Sequence, residues 1–220
     1  MLGHGMLMAA GGGGISYKDL ILADGPAALW MLDDTAGTTC VESVAGLNAT
    51  LSGTYALAQA APAGIGGKSI AFQSSAKAVT AATTTMDAGT LTAEFWFKST
   101  STNTGNFLAY GTSNYLRFQI GIRISTIFSN QDKLSSSTIP SDNAWHHGVC
   151  VVSKTGLKTY IDGAFDGSNT NAYPSQAASN SIYLGVGNSS EYFVGNLAAI
   201  AIYKKELTAA QVLAHYNAGK

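Results

Sequence analysis

Residues 143–163, Asn-Ala-Trp-His-His-Gly-Val-Cys-Val-Val-Ser-Lys-Thr-Gly-Leu-Lys-Thr-Tyr-Ile-Asp-Gly, restrict what this chain can fold into more than any other stretch. Residues 145–152 are rich in β-branched and aromatic side chains, 153–156 form a polar loop ending in glycine, and 157–161 resume the apolar pattern; this predicts a hairpin. Asp162-Gly163 supplies the pair that a two-residue type I′ turn requires, because both central positions need positive φ, so a third strand starting at Ala164-Phe165 folds straight back. Trp145, His147, Val149 and Val151 fall on one face of the first strand, and His146, Gly148, Cys150 and Val152 on the other. Neither face carries much charge, so this strand belongs mid-sheet with both sides covered.

The rest of the chain reads as short strands between glycine and asparagine turns. Ser16 caps a helix over 17–23, with Asp19 at the capping-box position, and Asp24-Gly25-Pro26 ends it. Strands are expected at 28–32, in pieces within 40–61, and at 70–72, 78–80, 91–98, 106–110, 115–120, 122–128, 181–186 and 193–203. In 91–98 the alternation turns Leu91, Ala93, Phe95 and Phe97 inward and Thr92, Glu94 and Lys98 outward. Thr208-Ala209-Ala210-Gln211 opens a terminal helix, stapled by Leu207 and Val212, whose Val212, Leu213 and Tyr216 side is expected to cover an open end or edge. The fold class is all-β, a two-sheet antiparallel sandwich with a short N-terminal and a C-terminal helix. Residues 15–220 form the sandwich, and 1–14 a glycine-rich arm.

Charged residues make up only 11% of the chain, against roughly 25% in typical soluble proteins, so solubility rests on hydroxyls and amides. Twelve basic and 13 acidic residues leave a net charge of -1 without a basic run, which argues against a nucleic-acid partner. A surface so poor in charge favours association with copies of itself or other chains. No apolar run approaches the roughly 20 residues that span a bilayer, so membrane insertion is not expected. The first residues lack the basic start and unbroken apolar segment of a secretion signal, so the chain is expected to stay in the cell that makes it. Gly11 to Gly14 cannot hold one conformation alone, which makes the arm, with Met1, Leu2, His4, Met6, Leu7 and Met8, a candidate assembly element ordered by docking.

Several of these segments together resemble the laminin-G-like, concanavalin A-like jelly roll of bacteriophage tail and virion proteins. They are Trp145-His146-His147, Tyr160-Ile161-Asp162-Gly163, residues 193–197, Ile202-Tyr203 and residues 207–211, with the lead-in 17–26 followed by Trp30-Met31-Leu32-Asp33. The resemblance implies a jelly roll over nearly everything after the arm. With the absent export signal and the arm, it implies a non-catalytic virion structural protein, a capsid decoration or tail surface component assembled in the host cytoplasm. Its partners would be other virion proteins, copies of itself and host-surface glycans. The alternative is a carbohydrate-binding module or adhesin, and third a polysaccharide-active enzyme. Where many relatives carry an acidic pair after the residue matching Leu197, this chain has Ala198-Ala199.

The residues argue against catalysis. A retaining glycosidase needs two carboxylates about 5 Å apart, and Glu94 has no acidic partner at 92, 96 or 98, while Glu191 and Glu206 fall in expected loops. Nor does the sequence bring together a tyrosine and histidine pair for a lyase. His146 and His147 point to opposite faces and cannot share an ion; His4 and His215 read as surface residues. No cofactor is expected, with calcium left open at turn carboxylates, above all Asp33 and Asp34. Sugar binding needs an aromatic platform beside amides and carboxylates, a description that Asn114 with Tyr115, Asn171 with Tyr173, and Asn188 with Glu191 and Tyr192 fit. Cys40 and Cys150 do not make a disulfide framework; Cys150 reads as a small buried apolar group, and whether the two meet is open.

Overall fold

The structure is a computed structural model that describes residues 15–86, 88–101, 105–111, 116–120, 124–128, 131–134, 142–170, 179–187 and 191–220. Two antiparallel sheets form the sandwich. Sheet A runs in the order Ala164–Asn169 (β14), Gly156–Ile161 (β13), His146–Ser153 (β12), Thr90–Lys98 (β7), Gly195–Tyr203 (β16), Lys68–Phe72 (β5), Tyr55–Ala60 (β4), with Ala28–Trp30 (β1) also on β16. Sheet B runs Gln131–Leu134 (β11), Ile124–Phe128 (β10), Arg117–Ile120 (β9), Gly105–Tyr110 (β8), Ile182–Leu184 (β15), Lys77–Thr80 (β6), Ala49–Ser52 (β3), Thr39–Cys40 (β2).

The expected meander is present. β12 lies between β7 and β13, and the turn to β14 holds Asp162 at φ 50° and Gly163 at φ 78°, as a type I′ turn demands. Its alternating faces fill two different cores. Cys150 and Val152 join Phe95, Phe97, Phe107 and Trp30 between the sheets, where Phe95 of sheet A stacks on Phe107 of sheet B at 4.2 Å between ring centroids. Val149 and Val151 join Trp96, Tyr203 and Ala201 on the outer face of sheet A. That outer face is roofed by the helices Tyr17–Ala23 (α1) and Ala209–Gly219 (α2), which contribute Tyr17, Ile21 and Val212, with Leu207 just ahead of α2.

Both helix starts are capped, but only the second forms a full capping box, because the Asp19 carboxylate accepts from the Ser16 hydroxyl instead. The Ser16 hydroxyl accepts from the Asp19 amide, and Thr208 and Gln211 bond each other's backbone amides reciprocally. Several expectations are corrected. The terminal helix reaches edge strand β14, with Leu213 and Tyr216 close to Gly163 in the turn before it, but it also covers the outer face of sheet A through Val212, and Leu213 remains 47% exposed. Thr92 and Glu94 do face away from the intersheet core, yet both are fully buried under the helical roof. His215 is buried rather than on the surface. Strand β11 went unforeseen. Both cysteines are buried and no disulfide joins them. The arm 1–14 lies outside the described residues.

The two sheets approach closely where β15 ends. Gly185, at φ 77°, lies so near Phe72 that a Cβ there would come within 2.4 Å of the ring. Gly185→Ala therefore combines a left-handed backbone with overpacking of a ring that cannot retreat, and a destabilisation of about 2 kcal/mol or more is expected in equilibrium denaturation. A loss below about 0.5 kcal/mol would show that the sheets have room to part there.

Candidate functional site

Two polar constellations stand out, one sealed and one open. The sealed one is centred on Glu94, in the middle of β7 and fully buried. Each carboxylate oxygen takes two donors. Oε1 accepts from the Tyr17 hydroxyl at 3.1 Å and from His147 Nε2 at 2.9 Å, while Oε2 accepts from the Tyr203 hydroxyl at 3.1 Å and from His215 Nδ1 at 2.9 Å. Trp96 Nε1 donates to the Tyr17 hydroxyl at 3.1 Å, and Tyr216 stacks on Trp96. From His215 the network reaches Asp24 at the end of α1, whose Oδ2 lies 2.8 Å from Nε2 and whose Oδ1 accepts from Gln211 Nε2 at 2.6 Å.

The protonation pattern follows from this geometry. Both nitrogens of His215 face carboxylate oxygens, so both carry protons; burial alone would lower its pKa, but bonds to Glu94 and Asp24 and their charge raise it. Burial likewise opposes a charged Glu94, but the bonds from His147 and His215 and the imidazolium charge hold its carboxyl well below the usual range. Burial and the Glu94 charge push the Tyr17 and Tyr203 hydroxyls up, so both stay protonated donors. His147 Nε2 carries the proton it donates, and its buried Nδ1 finds no partner.

The sequence did not bring an acid and a base together; the structure does, with two histidines, two tyrosines and two carboxylates in one cluster. It cannot act on a substrate, because the side chains of Glu94, His147 and His215 expose nothing to solvent. It works as a clamp between sheet A and both helices. The neighbouring His146 points the other way, as alternation requires. Its Nδ1 meets Asp162 at 2.8 Å and its Nε2 meets Asp142 at 3.2 Å; the bond to Asp162, against partial burial, raises its pKa. Glu42 is a second carboxylate whose role the sequence did not show. It accepts from the backbone amides of Leu29, Val44, Ala45 and Leu47 and so shapes the turn after β2.

The open constellation lies on the outer face of sheet B. Ile182 and Leu184 enter the intersheet core, so Tyr183 between them faces outward and is only partly buried. The register sets Thr50, Val79, Tyr183, Ala109 and Arg117 in one row across β3, β6, β15, β8 and β9. Small neighbours on both sides leave the Tyr183 ring standing above its row. At one end of the row Arg117 forms an ion pair with Glu191 through Nη1. The same Glu191 Oε2 accepts from Asn106 Nδ2 at 3.1 Å and from Gln119 Nε2 at 3.3 Å, and Asn106 Oδ1 is left buried without a partner. Tyr192 bridges to Asn106 and to Val186.

Glu191 thus stands on this face, while Tyr192 is placed beside it only through backbone pairing. Tyr183, Arg117, Gln119 and Asn106 were not singled out from the sequence; the signal available was the alternation Ile182-Tyr183-Leu184. Asn114, Tyr115, Asn171, Tyr173 and Asn188 lie outside the described residues. Among the described residues no group of three or more histidines, cysteines and carboxylates could hold a metal ion. Asp34, a calcium candidate, instead accepts from the Val41 amide at 3.3 Å, while Asp33 is exposed. Ala198 and Ala199, at the position of the relatives' acidic pair, lie in the core under the helices.

A double-layered β-sandwich with a helical roof on one sheet and an open second sheet defines a lectin-type jelly roll. The chain belongs to the concanavalin A-like lectin/glucanases superfamily, whose laminin G-type model matches residues 73–213. It is similar to domain 4 of an extracellular GH43 arabinanase from Geobacillus stearothermophilus, solved in complex with arabinotriose, at TM-score 0.70 and 19% identity over 87% of this chain and 98% of that one. It is also similar to botulinum neurotoxin type C, described as entering cells through two ganglioside molecules, at TM-score 0.66 and 12% identity over 90% of this chain and 52% of that one. The chain therefore spans about half of that neurotoxin chain. A third likeness is to a heptameric pentraxin from Limulus polyphemus, at TM-score 0.52 and 19% identity over 57% and 69% of the two chains. No curated protein sequence matches the chain.

Replacing Glu94 by Gln removes the charge that the histidines face and puts an amide N–H where a carboxylate oxygen accepted; breaking a buried ion pair of this kind costs about 3–5 kcal/mol. Urea denaturation at pH 7 should show that loss, and a variant as stable as the parent would refute the clamp. The pH dependence has two limbs. The depressed Glu94 pKa gives stability that is present above the unfolded value near 4.3 and is lost as pH falls through the folded value. The raised His215 pKa gives stability that is present below the unfolded value near 6.5 and is lost as pH rises through the folded value.

Proposed function

We propose that this protein is a non-catalytic glycan-binding jelly roll whose sugar platform is the outer face of sheet B. The observation that carries this reading is the registered row with Tyr183 between Val79 and Ala109, running to the Arg117, Glu191, Gln119 and Asn106 cluster. A sugar ring offers an apolar face to an aromatic ring and hydroxyls to charged groups, and the row leads from Tyr183 to the partly exposed Arg117 and Glu191 pair. Two structurally similar domains bind glycans by their own descriptions, one an arabinotriose and the other gangliosides, which supports the same use of this scaffold. Placement of Glu94, His147 and His215 beyond reach of solvent supports the absence of catalysis at that cluster.

Screening the purified protein on a glycan array and measuring the best neutral ligand by calorimetry tests the reading. Tyr183→Ala should weaken that ligand by about tenfold or more, roughly 1.4 kcal/mol, without changing the melting temperature appreciably. Unchanged affinity in Tyr183→Ala, or no neutral glycan bound at all, would remove sheet B as the platform.

We further propose that the domain is displayed on a tailed-phage virion, on capsid or tail, among other virion proteins and copies of itself. Support comes from the lead-in 17–26, the low charge and the glycine-rich arm bearing Met1, Leu2, Met6, Leu7 and Met8. Deleting residues 1–14 should leave a folded domain that no longer enters particles, read by immunoblot of purified virions; normal incorporation would end the docking role of the arm.

A further inference from the structure

A second polar surface lies away from sheet B, at the turn joining β12 to β13. Two cavities meet there, sharing Ser153 and Thr155. One, of about 250 Å³, has Val151 and Leu157 in its wall and Ser168, Asn169 and Lys158 around it. The other, of about 430 Å³, brings Lys154 and Lys204 together with Thr90 across Gly89. The wall is fixed by backbone rather than by side chains: Gly156, at φ 140°, approaches Asn169 so closely that a Cβ would come within 2.0 Å of its carbonyl oxygen. Lys154 lies along Gly89, where a Cβ would come 3.3 Å from its Cε. In a chain with only 12 basic residues, Lys154, Lys158, Lys204 and Lys205 gather at this one end of sheet A.

The acid printed into this surface is Glu206, engaged by Lys158 in a pair whose side chains are 45% and 40% exposed. Such a pair is held weakly, so a ligand anion can compete for Lys158. Among the described residues Lys154 and Lys204 line one cavity with no carboxylate in its wall, and Lys204 Nζ has only a long 3.5 Å contact, to the exposed Thr84 carbonyl. An anion between the two lysines would gain two charge-assisted bonds. Hydroxyls at Ser153, Thr155 and Thr90 then suit the neutral parts of a ligand rich in hydroxyls.

Resting on the reading of this chain as a glycan-binding domain, we infer that the two cavities over the β12–β13 turn form a second subsite for an anionic polysaccharide. The acid group of the ligand lies between Lys154 and Lys204, and an adjoining sugar lies in the cavity by Lys158 and Asn169. This subsite is separate from the Tyr183 row, which belongs to the other sheet.

The test uses the full chain with polygalacturonate as the carboxylate probe, dextran sulfate as the sulfate probe, unmodified dextran as the uncharged control and duplex DNA as a polyanion without exposed sugar rings. The wild type should bind at least one acidic polysaccharide, with affinity falling about tenfold or more as salt is raised to several hundred millimolar. The double variant Lys154→Glu/Lys204→Glu should lose that binding by about a hundredfold while melting normally and retaining the neutral-glycan binding assigned to Tyr183. Tyr183→Ala should keep the acidic-polysaccharide binding. Which probe is held distinguishes carboxylate from sulfate recognition; Lys154→Ala/Lys204→Ala provides a milder variant should the charge reversal impair folding. No acidic polysaccharide bound, equal binding by the double variants, or equally tight binding of DNA would overturn the subsite. Loss of neutral-glycan binding in Tyr183→Ala would not affect it.

Discussion

A single carboxylate holds the layers of this protein in order. Glu94 sits where water cannot reach, and an unpaired charge there would be prohibitively costly. Its two oxygens are met by four donors, one each from α1, β12, β16 and α2. Because those donors come from four separate segments, the network is complete only when the roof is seated. A helix shifted by a turn would leave a buried oxygen bare. The outer face of sheet A is therefore specified by polar geometry as well as by apolar contact, and the orphan Nδ1 of His147 is the one position where that satisfaction falls short.

Sealing one sheet leaves the other to meet the outside. Every position of β7 from Leu91 to Phe97 is buried, since its two faces serve the intersheet core and the helical roof. β15 is different: only Ile182 and Leu184 are consumed, and Tyr183 stays available. The buried Glu94, His147 and His215 are thus spent on architecture, while Tyr183 on the other sheet is only partly buried.

How far the sequence could be read depended on how local the physics was. The meander of β12, β13 and β14 was legible because Asp162-Gly163 and the alternation around it act within a few residues. The Ser16 cap and the Thr208 capping box are legible for the same reason. Glu94 was read correctly as facing away from the intersheet core but wrongly as exposed, since what covers it arrives from His147, 53 residues on, and His215, 121 residues on. The burial of His215 has no local mark either, since its partner Glu94 lies 121 residues away. Gln131–Leu134 lacks both β-branched residues and alternation, so β11 leaves no local mark. Tyr183 takes its setting from the register of five strands, which no short stretch of sequence reveals.

The roof has a directional consequence. Ile15, 73% exposed, leads into α1, and Lys220 caps α2, and these two helices touch over sheet A. The molecule consequently has two unlike sides: Ile15 and Lys220, at the outer ends of the two helices, both lie on the roofed side, and the Tyr183 row lies on the opposite sheet.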